Sequence, residues 1–270
     1  MDKVALQAEL AERYLYTGPL DGIIGPVSVK AIKDLMAAYR VLGYGTWGID
    51  RLIVGAKQLI FNIEENGIAG SVDGLNGPQT QYAESVWDAR RAGSSVEEIW
   101  RDNEDMGHVP KPTITSAVWP TEREVQKFFG RVGEFQARIT LPYPLRLSWD
   151  LDHIVNTTLC HKKTIQSVQS VLEAVKEHYT MDGIKQLRLD LFGGCLNVRK
   201  KRGGSTWSMH SWGIAWDFDP DKNQLKWNHT RASFARPEYK FWHETWEQAG
   251  AMNLGRRKDY DWMHTQFARL

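Results

Sequence analysis

In the segment SMHSWGIAWDFDP a histidine lies seven residues ahead of an aspartate. We read this segment as a strand, and strand alternation places Ala215, Asp217 and Asp219 on one face, with the apolar side chains on the other. The small Ala215 leaves space beside Asp217, and Gly213 allows a backbone turn that brings His210 to the same point. We therefore predict that His210 and Asp217 act at one site.

A second histidine with a nearby carboxylate lies close to the last residue of the sequence, in DYDWMHTQF. His264 follows Asp261 by three residues, so the two side chains can serve the same site. Two imidazoles and one carboxylate are a donor set that zinc prefers, and three protein ligands leave a fourth position for water. We predict that His210, Asp217 and His264 bind Zn²⁺. Asp261 remains available as a general base, as metal-assisted hydrolysis requires.

Other groups of potential ligands lack a regular spacing. HETWE at 243–247 has the first histidine of a zincin helix but not the second, and we interpret it as a helix surface or packing face. Cys160, His161 and Cys195 show no ligand pattern, and we expect two reduced, partly buried thiols. Four further histidines have no partner in the sequence and are assigned to surface or core: His108, His153, His178 and His229.

The first part of the chain contains an internal repeat. PLDGIIGPVSVKA recurs 52 residues later as SVDGLNGPQTQYA. In each copy Asp-Gly predicts one tight turn and Gly-Pro a second, and Ser28 or Thr80 is placed to cap the helix that follows. VALQAELAERYLY, before the first copy, has apolar residues at helical spacing. Each repeat is therefore predicted to be a helix, a turn loop and a second helix.

The remainder of the chain predicts a mixed domain. The proline-containing segment 101–120 is interpreted as a linker between a helical domain, 1–100, and a second domain, 121–270. TIQSVQSVLEAVKEHY carries a helical stripe that MDG should end, and QLRLDLF alternates like a half-buried strand. The fold class is therefore α+β, with an antiparallel sheet flanked by helices in the second domain.

Composition excludes several classes of protein. The formal net charge of +1 gives no general attraction to nucleic acid, and no apolar run has membrane-spanning length. The first residues lack the pattern of a secretory signal, so we expect synthesis and retention in a cytoplasm. Twelve tryptophans favour buried aromatic anchors, with a groove that stacks on sugar or peptide as the alternative.

The motif S-x-H-x-x-G-x-A-x-D, followed far downstream by D-x-x-H, resembles the D-alanyl-D-alanine carboxypeptidase and L-alanyl-D-glutamate endopeptidase family of zinc peptidases. The resemblance covers about residues 120–270. It implies that His210, Asp217 and His264 are zinc ligands and that Asp261 is the general base, where many relatives have the longer glutamate. Arg199 matches an arginine that relatives use to hold a substrate carbonyl or carboxylate.

The same resemblance extends to the residues around the first ligand. We predict that Ser208, a fixed position of the motif, and Trp212 contact the substrate. Three basic residues next to Arg199 are interpreted as a solvated loop, with a substrate clamp as the alternative: Lys200, Lys201 and Arg202.

The repeated DG-x-x-GP-x-[ST] loop resembles the peptidoglycan-binding domain found on many cell-wall hydrolases. It covers about residues 1–90 in two copies. The residues implied in wall binding are those that form the turns: Asp21, Gly22, Gly25, Asp73, Gly74 and Gly77.

Together the two resemblances imply a modular peptidoglycan hydrolase that cuts the stem peptide, at the L-alanyl-D-glutamate bond. A D,D-carboxypeptidase or dipeptidase of the same family is one alternative, and a virion or wall-binding protein with a degenerate site is another. The expected enzyme is a monomeric phage or prophage endolysin. It would stay in the host cytoplasm until a holin opens the way to the periplasm and the wall.

Overall fold

The computed structural model describes residues 1–94 and 119–270, and the chain divides into two compact units, Met1–Glu98 and Ile99–Leu270. Most of the predicted linker, 101–118, and His108 lie outside the described residues. Trp119, at the end of that predicted linker, is buried in the second unit, where its indole N–H donates to the Ala249 carbonyl at 3.0 Å. No helix in the described part of the chain is both long and apolar enough to span a bilayer.

Within its described residues, 1–94, the first unit has four α-helices that pack around one apolar core. They are α1 (Lys3–Glu12), α2 (Pro26–Ala38), α3 (Ile49–Glu64) and α4 (Pro78–Arg91). Leu6 and Leu10 of α1 and Ile32 of α2 are fully buried in this core, as are Ile60 and Phe61 of α3. Each repeat is therefore a helix, a loop and a helix, as the sequence predicts.

A buried glutamine organises the loop of the first repeat. The Gln7 side-chain N–H group of α1 lies 3.1 Å from both Asp21 Oδ1 and the Ile23 carbonyl oxygen, and Gln7 Oε1 accepts from the Gly22 amide at 2.7 Å. Asp21 Oδ1 also accepts from the Ile23 amide at 2.8 Å, and Gly22 adopts a positive φ of 76°. The Asp-Gly pair is therefore a turn element held by the preceding helix.

The second repeat has the same arrangement around Gln58 of α3. Its side-chain N–H group donates to Asp73 Oδ1 at 2.9 Å and to the Leu75 carbonyl at 3.1 Å, and its Oε1 accepts from the Gly74 amide at 2.8 Å. The Leu75 amide donates to Asp73 Oδ1 at 2.8 Å, and Gly74 has a φ of 72°. The two loops are therefore structural copies as well as sequence copies.

The prediction that Ser28 and Thr80 cap the following helices is wrong. The N-cap residues are Gly25 and Gly77, and Pro26 and Pro78 then open α2 and α4. Ser28 and Thr80 lie inside the first turn, and their hydroxyls donate back to the Ile23 and Leu75 carbonyls. Proline at the first helical position has no amide hydrogen, so one fewer N–H group needs an acceptor from a capping side chain. The glycine before it therefore suffices as the N-cap residue.

The second unit is an α+β domain. Its strands are β1 (Gln136–Leu147), β2 (Asp150–His161), β3 (Leu191–Gly194), β4 (Ala215–Phe218), β5 (Met252–Asn253) and β6 (His264–Gln266). Its helices are α5 (Val125–Phe129), α6 (Ile165–Gln186), α7 (Lys240–Gln248) and α8 (Leu254–Lys258). The strand order is β2-β1-β3-β4-β6-β5. The sheet is mixed, not purely antiparallel as predicted, because β1 and β3 pair in parallel.

Two local predictions in this unit are wrong in their boundaries. The helix of TIQSVQSVLEAVKEHY has a kink at Thr180, with φ 57° and ψ 172°, and helical structure resumes through MDG to Gln186. QLRLDLF is not a strand over its first half, since 187–190 form a turn and β3 begins only at Leu191. Arg188 adopts a positive φ of 58° in that turn, which regular strand alternation cannot accommodate.

The side of the sheet away from the candidate site packs on aromatic residues. Trp216 and Phe218 of β4 are fully buried and contact Trp246 of α7, with ring centroids 6.4 and 6.1 Å apart. Seven tryptophans among the described residues are buried: Trp87, Trp119, Trp212, Trp216, Trp242, Trp246 and Trp262. For six of them the interpretation as core anchors is confirmed, whereas Trp212 also lines a cleft in the same unit.

Candidate metal centre

A tight turn brings His210 to the start of β4. Met209–Trp212 form a 3-10 turn, and Gly213 ends it with a left-handed φ of 64°. This positive φ favours glycine, and a Cβ atom at Gly213 would also meet the Gln136 side chain and lie 3.1 Å from the His161 backbone nitrogen. The predicted strand over the whole of SMHSWGIAWDFDP is thus confined to Ala215–Phe218, whereas the turn predicted at Gly213 is confirmed.

Sheet pairing brings the other two predicted ligands together. Asp217 of β4 and His264 of β6 are direct partners in the antiparallel register. Side chains of directly paired residues project on the same face of a sheet, so a residue near the end of the sequence reaches the central motif through backbone pairing.

The three predicted ligands form a compact group. His210 Nε2 lies 3.2 Å from Asp217 Oδ2 and 3.2 Å from His264 Nδ1, and His264 Nδ1 lies 3.0 Å from Asp217 Oδ1. Among the described residues, these three side chains are the group in which at least three potential donor atoms lie close enough together to bind one metal ion. Two ligands about 2.1 Å from zinc at a tetrahedral angle lie about 3.4 Å apart, close to the observed spacing.

The hydrogen bonds behind the rings determine which nitrogens face the centre. His210 Nδ1 lies 2.7 Å from the Cys195 carbonyl oxygen, which can only accept, so in the neutral ring Nε2 carries the lone pair. His264 Nε2 lies 3.0 Å from Gln266 Oε1, so Nδ1 of its neutral ring carries the lone pair. With both rings neutral, two lone pairs and a carboxylate face one another. Such a donor set fits a cation.

The charges at the centre are strongly perturbed. Burial alone would raise the pKa of Asp217, but His210 and His264 hold it well below its usual range. Burial lowers the pKa of His210, with Asp217 opposing the change. Burial also disfavours charge on His264, yet its hydrogen bond to ionised Asp217 raises its pKa to about 9. In the metal-free protein a proton on His264 therefore occupies the place where the donor set fits a cation.

Asp261 lies in the same cleft but outside this group of ligands. It is 7% exposed with a φ of 54°, and its carbonyl accepts from the His264 amide at 3.0 Å. Its Oδ1 is buried and has no hydrogen-bond partner among the described residues. Burial raises the pKa of Asp261 to about 7, and the neighbouring charge of His264 opposes that rise. These are the properties of a carboxylate suited to take up and return a proton near neutral pH.

The group opens into a cleft of about 1110 Å³. Arg199, Ser208 and Trp212 line this cleft together with the predicted ligands and Asp261. The Arg199 guanidinium donates to the Lys200 carbonyl at 3.1 Å, and the Trp212 indole N–H donates to the Gly130 carbonyl at 2.8 Å. The structure places all three at the cleft, and their contact with a substrate remains a prediction.

The basic segment after Arg199 is more ordered than a solvated loop. Lys201 is 13% exposed and forms an ion pair with Glu122 at 2.8 Å. Lys200 Nζ lies 3.8 Å above the ring of Trp207. Lys201, Arg202 and Trp207 all line the cleft. The prediction of a solvated loop is therefore wrong for Lys201.

Asp219 does not share the face of Asp217, contrary to the predicted alternation. β4 ends at Phe218, and Asp219 adopts a positive φ of 42°. Its buried carboxylate accepts from the Arg188 guanidinium at 2.6 and 2.9 Å. Asp219 therefore belongs to a structural ion pair.

The alternative ligand groups are structural. Both cysteines are free and buried, and the His161 ring is held by the Phe129 carbonyl and the Lys163 amide. In HETWE, His243 and Glu247 are buried on the packing face of α7, as one of the two interpretations of that segment predicts. His153 is exposed, His178 stacks on Phe241, and His229 pairs with Asp259 at 2.6 Å.

Sequence reasoning missed Gln266 and the Cys195 carbonyl, which contact the rings of the two predicted histidine ligands, and Glu122, which contacts Gln266. Gln266 follows His264 by two residues on a strand, and that spacing places both side chains on one face. The spacing was visible in the sequence. Glu122 precedes Gln266 by 144 residues, so no local sequence pattern predicts the contact between them.

Comparison of the chain with protein-family models, with curated proteins and with solved structures finds no match.

Proposed function

We propose that this protein is a zinc-dependent peptidoglycan peptidase that cleaves the stem peptide of murein at the L-alanyl-D-glutamate bond. The observation that carries the proposal is the convergence of His210, Asp217 and His264, with their lone pairs facing one point, beside the buried carboxylate of Asp261. The choice of wall peptide as substrate rests on the sequence motifs and on the repeated loops of the first unit.

His210 Nε2, Asp217 and His264 Nδ1 would hold the ion. When bound, zinc supplies a Lewis acid that polarises a carbonyl and lowers the pKa of a water molecule toward about 7. Cys195 and Gln266 keep the rings in the orientation that this ligation needs.

The protein's own residues supply the proton transfers and the positioning. Asp261 removes a proton from the attacking water and delivers it to the leaving amine. Arg199 lies in the cleft and would orient a substrate carbonyl or carboxylate by donating hydrogen bonds. Ser208 and Trp212 form part of the wall along which the peptide would lie.

The first unit would retain the enzyme on its polymeric substrate. Its two structurally equivalent loops each present a turn built on Asp21-Gly22 or Asp73-Gly74 and end at Gly25 or Gly77. Two weak sites on one chain raise the effective concentration at a polymer, which favours a repeated module. The proposed site of action is the cell wall, reached by a monomer from the host cytoplasm after the membrane opens.

Digestion of purified sacculi tests the assignment. The zinc-loaded protein should release muropeptides with a new N-terminal glutamate, detected by mass spectrometry. Release of free D-alanine instead would assign a D,D-carboxypeptidase. If neither the L-alanyl-D-glutamate bond nor the terminal D-alanine bond were cleaved, the assignment as a peptidase would be wrong.

His210→Ala separates enzyme from binding protein. This variant should abolish product release and lysis while it still sediments with sacculi. Exposed His153 provides the matched control, since His153→Ala should retain both activities. If His210→Ala lysed cells as the wild type does, the protein would be a wall-binding protein with a degenerate site.

A further inference from the structure

A polar relay leads from the candidate metal centre to the cleft wall. His264 Nε2 faces Gln266 Oε1 at 3.0 Å, and the Gln266 side-chain N–H group donates to Glu122 Oε1 at 3.0 Å. Glu122 Oε2 in turn accepts from Lys201 Nζ at 2.8 Å. Gln266 is 1% exposed, so water cannot replace these partners at little cost.

The partners of Gln266 decide which way round its amide lies. Its nitrogen faces Glu122 Oε1 and also the Ala268 carbonyl oxygen, at 3.1 Å. A carboxylate and a carbonyl only accept hydrogen bonds, so the NH₂ group must point at them. The amide oxygen is then left for His264, and that oxygen requires a hydrogen on Nε2.

We infer that Gln266, oriented by Glu122, is a positioning residue that keeps the His264 imidazole in the Nε2–H tautomer and so presents Nδ1 to the metal. This inference rests on the proposed function only in taking the centre to bind zinc. The partner of the other ring behaves differently, because His210 is oriented by a backbone carbonyl that no side-chain substitution removes. The tautomer of His264, unlike that of His210, therefore depends on a side-chain partner.

Sheet pairing leaves space for this arrangement. Gln266 of β6 is the direct partner of Ala215 of β4, and His264 is the partner of Asp217. The four residues thus lie on one face in two adjacent pairs. The small side chain of Ala215 stands opposite Gln266, the residue that orients the His264 ring.

The test uses zinc titration against a chelator and the ¹⁵N spectrum of the zinc-loaded, full-length protein. In the wild type, His264 should show a metal-bound Nδ1 and a protonated Nε2. Gln266→Met should lower zinc affinity about 10- to 100-fold, which is the usual contribution of a residue that hydrogen-bonds to a metal ligand. It should also leave the His264 imidazole in a mixture of its two tautomers.

A charge swap checks that orientation, not bulk, is the cause. Gln266→Glu alone would set two carboxylates against each other, and it should weaken zinc binding. Adding Glu122→Gln gives the new carboxylate at position 266 a hydrogen-bond donor again, although the Ala268 carbonyl still lacks one. The double variant E122Q/Q266E should therefore bind zinc more tightly than Gln266→Glu alone. Failure of this rescue, with both proteins folded, would overturn the inference.

Asn253→Ala is the control for a merely structural role. The Asn253 side chain donates to the His264 and Trp262 carbonyls, at 3.0 and 3.2 Å, and so supports the same strand through its backbone. This variant should lower thermal stability and leave the His264 ring state unchanged. Unaltered zinc affinity and ring state in Gln266→Met would refute the role of Gln266 alone, whereas a wild type that binds no zinc would refute the metal centre as well.

Discussion

Asp217 and His264 are direct partners across β4 and β6, and their side chains meet with Asp217 Oδ1 3.0 Å from His264 Nδ1. The sheet register therefore holds two of the three proposed ligands in place without any metal. His210 completes the group from a separate turn, so the centre depends on the position of that turn relative to the sheet.

Zinc should stabilise the second unit, because the donor set exists only in the folded chain. At zinc concentrations about 100-fold above Kd, ligand binding contributes about 2.7 kcal/mol. For a unit of this size we expect Tm to rise by about 5–10 °C. His264→Ala should abolish the rise and His153→Ala should retain it, as measured by calorimetry with and without a chelator. An equal rise in His264→Ala would place the zinc elsewhere.

Asp261→Asn should lower kcat by about 10²- to 10⁴-fold, the usual contribution of a general base. Zinc binding, followed by the Tm rise, should persist because Asp261 is not one of the three grouped ligands. Asp261→Glu should retain part of the activity, since the carboxylate is kept. A variant Asp261→Asn with the wild-type rate would exclude this residue as the base.

The pH dependence of the rate should follow the same carboxylate. Burial raises the pKa of Asp261 to about 7, and only the ionised form can accept a proton. A cation bound nearby would lower this pKa, because it favours the ionised carboxylate. In the zinc-loaded enzyme activity should therefore fall on an acidic limb at or below pH about 7, and this limb should be absent from the residual activity of Asp261→Asn. Rates on soluble muropeptides across a pH range of about 5–9 provide the measurement.

The grouping of His210, Asp217 and His264 could be predicted from the sequence, because their residue types and the motif spacing point to one site. The secondary-structure elements that carry these residues could not be predicted. His210 lies on a 3-10 turn and Asp219 turns away to Arg188, since a left-handed Gly213 and a positive φ at Asp219 interrupt the apparent alternation. Alternation indicates a strand only while every residue is extended, and β4 meets that condition for four residues.

His243 should make stability sensitive to acid. Burial lowers its pKa to about 4, and its Nε2 bonds to the Phe234 carbonyl while Nδ1 has no partner among the described residues. The folded-state pKa lies below the unfolded value of about 6.5, so between these values the unfolded chain binds a proton that the folded chain does not. Stability is therefore lost as pH falls from about 6.5 toward 4, by up to about 3 kcal/mol.

Urea unfolding at pH 5, 6 and 7 measures this effect. His243→Gln should be less stable at neutral pH but should show a shallower decline toward pH 5 than the wild type. The exposed His153→Gln should keep the wild-type slope. Parallel declines in all three proteins would assign the acid sensitivity to other groups.

The repeated loops were recognised from the sequence, but the glutamines that hold them were not. Gln7 and Gln58 are 51 residues apart, whereas the loops are 52 apart, so a search in one register does not align them. A buried glutamine within an apolar helix stripe was the available signal. The role of each glutamine is recognised once the structure shows that both make the same hydrogen bonds to their loops.

Gln58→Ala should loosen the second loop more than any exposed substitution nearby. It removes the acceptor for the Gly74 amide and the donor to the Leu75 carbonyl and Thr80 hydroxyl, leaving buried groups that cost about 1–3 kcal/mol each when unpaired. Hydrogen exchange at Gly74 and Leu75 should accelerate by at least tenfold. Ser85→Ala, at an exposed position of α4 where the hydroxyl donates to the Tyr82 carbonyl of the same helix, should leave that exchange unchanged. If wall binding uses the turns themselves, Gln58→Ala should also weaken sedimentation with sacculi, whereas intact binding would locate the contact elsewhere on the unit.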